Sequence, residues 1–446
     1  MTTRITPSRL EFAVVGAASA YVVALAVASR AWDYDIWGGL LVAPILVAVS
    51  LPLLRRVADR DGLEGLYPIL VTALVVKLAM SVPRWAVAFV MYDGSADASS
   101  YNDSGRELAP LYRELVFPFS DQPGGFGTKV VSSLTGGVYA VTGPTLIGGF
   151  LVFSWLGFWG LVLCYRSARI AVPSLEAKRY AALIFFLPSM AFWPSSIGKE
   201  AVITLGLGLT LYGAARVFAR ERLGLLAVSG GLTICYLVRP HIAALLAGSF
   251  VVGFLLRPTR RRTALSPVLK LGGAVVVSLA GLYVIAKAAQ SLGLEGGEST
   301  ASELTRRGEL TSQGGSAFDA SPIRGPADVP AAVLAVFFRP FPWEADSAQV
   351  LIAAVEGTGI LSMVVISWRR VAAGIGRLRE PYVLMSIIFL LGFLYAFSQF
   401  GNFGILARQR VQALPLLLLF LAMPTLPRRG PSQHDLDPQP VRSLTT

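Results

Sequence analysis

Lys199 and Glu200 are the only charged residues between Tyr180 and Arg216, within the stretch FWPSSIGKEAV (192–202). A charge at the centre of a bilayer costs about 2.5–3.5 kcal/mol on insertion scales. The pair therefore marks a turn at a membrane surface between two apolar runs, with Ser195-Ser196-Ile197-Gly198 as the turn. A helix starting after it presents free N–H groups that favour an anion, and Lys199 adds positive charge there. Glu200 reads as a helix-start acid, favourable by the dipole alone, as a group that orients Lys199, or as a base itself. Three further clusters have the same character. Arg239 and His241 flank Pro240; Arg339 precedes Pro340-Phe341-Pro342-Trp343-Glu344; Arg408 and Arg410 close QFGNFGILARQR (399–410). A guanidinium donates two parallel hydrogen bonds to a phosphate. Each arginine alone also reads as a topological anchor, but together Lys199, Glu200, Arg239, His241, Arg339, Glu344, Arg408 and Arg410 suit a diphosphate at a membrane surface.

Carboxylates supply the complementary chemistry. The segment MYDGSADASSYNDSGRELAPLYRELVFPF (91–119) offers Asp97 and Asp103. Either can act as general base on an acceptor hydroxyl, or serve simply as a loop or cap aspartate. Ser104-x-x-Glu107 has the form of a capping box, which makes Glu107 a cap partner. Leu108, Leu111, Tyr112 and Leu115 follow at helical spacing and predict a short amphipathic interfacial helix broken at Pro110. Trp193 to Glu200 only approximates the phosphate loop G-x-x-x-x-G-K-[ST]. It has Trp for the first Gly and Glu for the Ser/Thr, and is excluded.

The elements that must position these groups are membrane helices. The 446 residues are 54% hydrophobic and 15% charged, against about 25% charged in soluble domains. Apolar windows of bilayer length fall near 11–29, 36–54, 66–83, 144–164, 180–197, 201–219, 223–238, 241–256, 268–289, 347–367, 382–398 and 411–427. The expectation is an all-α integral membrane protein of about twelve transmembrane helices, the first of them an uncleaved span rather than a signal peptide. The short loops at 55–60, 166–179, 216–222, 257–270 and 369–379 are basic, which predicts both termini cytoplasmic and Lys199 on the opposite face. Two long extracytoplasmic loops, 92–144 and 290–346, then complete a membrane domain over 1–427. Residues 428–446 read as a disordered cytoplasmic tail. The Gly/Ser/Glu-rich part near 290–330 reads as a mobile flap.

The net charge of +12 follows from this topology and from attraction to anionic lipid, so no nucleic-acid partner is expected. Cys164 and Cys235 lie in apolar runs, and His241 and His434 are too few for a histidine-based metal site. No cofactor is expected, a divalent cation alone being left open.

The acidic segment SADASSYNDSGRELA, the following GGVYAVTGPTLIGGFLVFSWLGFWGLVLCYR and FLPSMAFWPSSIGKEA resemble membrane glycosyltransferases of the GT-C type and bacterial O-antigen-type polysaccharide polymerases. The resemblance covers roughly residues 90–220, with weaker echoes at FFRPFPWEAD and GNFGILARQR. It implies a multi-pass inner or plasma membrane enzyme using a polyprenyl-phosphate or -diphosphate sugar or oligosaccharide and a glycan acceptor. Envelope-assembly proteins are its expected partners. It also implies Asp97 or Asp103 as base and Arg239, Arg339, Arg408 and Arg410 as the important cations. The acidic loop follows the third span here, where GT-C enzymes place it after the first. The alternative is a transporter or lipid-linked oligosaccharide flippase. Twelve spans and Val57-Ala58-Asp59-Arg60-Asp61-Gly62, close to A-D-R-x-G, suit the major facilitator pattern. Its long central cytoplasmic connection is replaced here by Arg216–Arg222.

Overall fold

Gly and Pro divide the apolar sequence into helices, and the computed structural model shows where each division falls. It describes residues 9–91, 93–94, 96–257 and 317–425. The described residues are all-helical apart from turns and a single isolated bridge between Ala317 and Asn402. The expected window at 268–289 and the tail 428–446 lie outside them.

α1 (Arg9–Ala31) and α2 (Tyr34–Asp61) open the chain. Gly62 ends α2 with φ +74°, its N–H bonding Ala58 O, a left-handed cap that only glycine adopts without strain. α3 (Leu66–Ala79) continues through α4 (Ser81–Ala86) into a π-turn ending at Met91. α5 (Asp97–Arg113), α6 (Phe126–Thr142) and α7 (Leu146–Ala171) follow. After α8 (Ala177–Phe186), α9 (Pro188–Phe192) and a turn come α10 (Lys199–Phe218), α11 (Gly224–Val238) and α12 (Pro240–Leu255). Beyond residue 316 lie α13 (Val329–Phe337), α14 (Ala348–Ile366), α15 (Trp368–Ile375), α16 (Pro381–Phe397), α17 (Phe403–Arg410) and α18 (Leu414–Leu421).

Among the described residues four helices are long and apolar enough to cross a membrane: Tyr34–Asp61, Leu66–Met91, Leu146–Ala171 and Lys199–Phe218. The number rises to six if the bent pairs α14–α15 (71°) and α17–α18 (65°) each make one span. Five shorter apolar helices accompany them. Ile45, Val49, Ile352 and Val355 are all exposed, an outward apolar surface that suits lipid rather than water. The described residues thus form an all-helical bundle that suits a membrane. Its centre is α7 against α10 against α11, where glycines let backbones touch. A Cβ on Gly160 would collide with Thr204 O, and one on Gly213 with the backbone of Val228.

Three expectations are corrected. The window 180–197 is not one span but α8 and α9. Pro188 forbids helical backbone at Leu187 (ψ 129°). The first long loop is mostly ordered helix. α5 begins at Asp97, so Ser104 sits mid-helix rather than at a cap, and the helix runs on past Pro110. α6 was not anticipated at all, because its apolar residues are interleaved with Gly, Ser and Thr. The described end of the expected flap, from 317 onward, is tied down: Phe318 N–H bonds Gly401 O at 2.9 Å and its ring stacks on Phe403 at 4.3 Å.

α5 and α6 lie side by side. Gly105 meets Thr135, and Arg113 donates to the Tyr139 and Ala140 carbonyls. At one end of α6, Lys199 Nζ donates to Thr128 Oγ1 (3.2 Å) and Gly127 rests on Val238 O. At the other, Tyr34 donates to Thr142 O. α6 therefore runs across the helix ends at Lys199, Val238 and Tyr34, with α5 beside it and the strap 114–125 returning along it.

Candidate functional site

Five of the residues singled out in the sequence meet under this α5–α6 layer. Each comes from a helix end. Lys199 and Glu200 open α10; Arg239 caps α11 and precedes α12; Arg408 lies in the last turn of α17; Asp97 opens α5. Glu200 is the centre. Its Oε1 accepts from Arg239 Nη2 at 2.5 Å and lies 3.0 Å from Arg408 Nε, the latter an ion contact without hydrogen-bond alignment. Arg408 Nη1 also reaches Asp97 Oδ2 at 3.1 Å, and Arg239 Nη1 donates to Gln409 Oε1 at 2.6 Å. Arg239 and Glu200 are buried, whereas Asp97 is 62% exposed at the edge of the cluster.

Three cations thus face two carboxylates. Glu200 does not bind an anion; it is the counter-ion that holds two guanidiniums side by side in a buried place. Lys199 differs from both. Among the described residues, its ammonium has one hydrogen bond, to a neutral hydroxyl, and no ion pair. An ammonium has three donors, so Lys199 keeps donors for a ligand. Tyr101, one helical turn beyond Asp97 on the same face, is buried. Burial, then the charges of Asp97 and Glu200, push its phenol up to about 12, so it stays a neutral donor.

The remaining candidates lie elsewhere. Arg339 pairs with Glu344 (2.5 Å) and lies 4.4 Å above the Phe318 ring. Burial raises the Glu344 carboxyl, but hydrogen bonds from Arg339 and Phe341 N–H and the Arg339 charge outweigh it and hold it below its ordinary value. Arg410 donates to Arg339 O, so α17 links this second cluster to the first. His241 faces Phe397 (6.4 Å). Asp103 is exposed and accepts from Asn102 (3.1 Å) rather than joining the cations. Among the described residues no group of three or more His, Cys, Asp or Glu is placed to hold a metal ion.

Sequence reasoning missed Tyr101, Thr128 and Gln409, although Tyr101 follows Asp97 at i+4 and Gln409 stands between two named arginines. It also missed the support behind the turn. Lys77, fully buried, donates to Met190 O and Ala191 O (2.8 and 2.9 Å). Glu356 accepts from Ser189 N and Oγ (2.9 and 2.5 Å). A cation thus sits on the last carbonyls of α9 and an anion on its first N–H, each at the end its charge suits. The signal was present: ionisable residues inside apolar runs.

Comparison with family models, with curated proteins and with solved structures gave no match.

Proposed function

We propose that this protein transfers or polymerises glycosyl units from a polyprenyl-(di)phosphate-linked donor at the extracytoplasmic face of the cell membrane. The observation that carries the reading is the meeting of Lys199, Arg239 and Arg408 around Glu200, with Asp97 exposed at its edge. A lipid phosphate takes the free donors of Lys199, flanked by guanidiniums already fixed by Glu200. Asp97 takes the acceptor hydroxyl's proton as its oxygen attacks the anomeric carbon. The bond from that carbon to the phosphate oxygen breaks, and the lipid phosphate leaves with the electron pair. Tyr101 is the further neutral donor. The basic short loops support a proposed orientation with this end of the bundle outside and both termini inside. The loose resemblance to GT-C enzymes and polysaccharide polymerases points to the same chemistry.

A second reading, a lipid-linked oligosaccharide flippase, is favoured by one observation. The α8–α9 break is held by intramembrane Lys77 and Glu356, and discontinuous helices of this kind recur in transporters. Lipid-linked oligosaccharides extracted from cells lacking the protein separate the readings. Accumulated unpolymerised units indicate a polymerase, and truncated units a single-sugar transferase. Donor trapped on the inner leaflet indicates a flippase, and an unchanged lipid profile refutes all three.

A further inference from the structure

The break between α8 and α9 exposes backbone polar groups within an apolar region. Pro188, which opens α9, has no N–H, so the Ser189 N–H begins that helix without an intrahelical acceptor. Glu356 of α14 takes it. The Ser189 N–H donates to Oε1 at 2.9 Å and to Oε2 at 3.1 Å, and Ser189 Oγ lies 2.5 Å from Oε2. A cap needs only an acceptor, which an amide would supply. A carboxyl adds an ionisable group where charge is costly, and in a membrane segment that marks function.

The two carboxyls that meet the ends of α9 and α10 have different surroundings. Glu200 is fixed between two guanidiniums, at 2.5 and 3.0 Å. Among the described residues Glu356 joins no ion pair, and all its hydrogen bonds involve Ser189. Arg410 of α17 is the charge that reaches it, but that guanidinium donates to Arg339 O and lies beside Gly357. Other charges on the packed elements are engaged elsewhere. Lys77 holds the far end of α9, Arg84 lies over the Phe192 and Trp193 rings, and Arg339 pairs with Glu344. Glu356 instead lines a groove of about 410 Å³ with Leu187, Pro188, Ile352, Val355 and Met363. The groove opens on the lipid-facing side of α14, where Ile352 and Val355 are exposed. Gly359, one turn on from Val355, faces open space there.

We propose that Glu356 is a proton-binding site entered from the bilayer side, taking up and releasing a proton while it holds α9. The hydrogen bonding fits both states. When Glu356 is ionised, both its oxygens accept from Ser189. When it is protonated, Oε1 still accepts from the Ser189 N–H while Oε2–H donates to Ser189 Oγ, because a hydroxyl can donate or accept. Neither state strands the backbone N–H. The assignment stands on this geometry and is independent of the choice between the two functional readings.

The test uses the purified full-length chain in lipid nanodiscs and dicyclohexylcarbodiimide, an apolar reagent that adds to protonated carboxyls. The acid proton passes to a reagent nitrogen and the carboxylate oxygen bonds the central carbon. The resulting O-acylisourea rearranges to a stable N-acylurea, which mass spectrometry locates. Near neutral pH the label at Glu356 is expected to exceed that at Glu200 at least about tenfold, the change that one pH unit makes in a carboxyl's protonation. It should fall as pH is raised, because only the protonated form reacts, and a charged, water-soluble carbodiimide should label Glu356 less than the apolar one. Independently of reagent entry, the infrared carbonyl band of a protonated carboxyl should disappear over the same pH range and be missing in Glu356→Gln. If that variant fails to fold, the label mapped on the unmodified protein decides. Label no greater than at Glu200, with no titrating band, overturns the proposal and leaves Glu356 a permanently charged cap. Stronger labelling by the water-soluble reagent also overturns it, since the proton would then arrive by an aqueous path.

Discussion

Lys199 and Glu200 are neighbours in sequence with opposite tasks, and substitution should separate them. Lys199 has a neutral partner, so Lys199→Gln removes a charge without stranding another. The expected result is unchanged thermal stability with a ten- to hundredfold loss of phosphate-lipid affinity, the worth of one charged hydrogen bond (about 1.5–3 kcal/mol). Glu200→Gln removes the counter-ion between Arg239 and Arg408. Losing one partner of a buried pair costs roughly 3–5 kcal/mol, so this variant should lose melting temperature before any binding is measured. Asp97→Asn should keep donor binding and lose turnover, since the proposed base and the proposed phosphate site are different residues. Equal stability for the Lys199 and Glu200 variants would refute the division of roles.

At the scale of elements, the short helix α9 is the piece that fixes where the FWPSSIGKEAV turn sits. Its ends are held by Lys77 and Glu356, and Ser154 and Ser195 meet beside it at 3.0 Å. Lys77→Met strands two buried carbonyls, each worth about 1–3 kcal/mol. The expected loss is roughly 2–5 kcal/mol, seen as a lower midpoint in denaturant or heat. Glu356→Gln should cost less, because an amide oxygen still accepts from Ser189. If Lys77→Met melts at the temperature of the unmodified protein, α9 is held by packing alone.

At the scale of the molecule, the cation cluster and the α5–α6 layer share one end of the bundle, so orientation decides which compartment they serve. Ser196, though in the turn, is buried and is a poor reporter. Leu115, on the strap, is 78% exposed, and Arg222, between α10 and α11, is exposed at the other end. In whole cells an impermeant thiol reagent should label Leu115→Cys, and should label Arg222→Cys only after permeabilisation. The opposite pattern would put the site in the cytoplasm and rule out an extracytoplasmic transferase.

Apolar run length alone was enough to establish a helical membrane protein, because a backbone in lipid has to bond within its own segment. The turn at 195–198 was legible for the same reason: Lys199 and Glu200 cannot sit in mid-span. Which charges meet was not legible. Asp97 and Arg408 are more than 300 residues apart, and Asp103, six residues from Asp97, points away because the two fall on different faces of one helix. Nor did sequence show that Glu200 is a counter-ion rather than a ligand-binding group, since that depends on which two arginines flank it. Of the α5–α6 layer only a short amphipathic stretch around Leu108–Leu115 was legible, because a helix lying on other helices needs only one apolar face and carries no bilayer-length run. Local pattern fixes what each segment can be. Only packing decides which segment ends share a site.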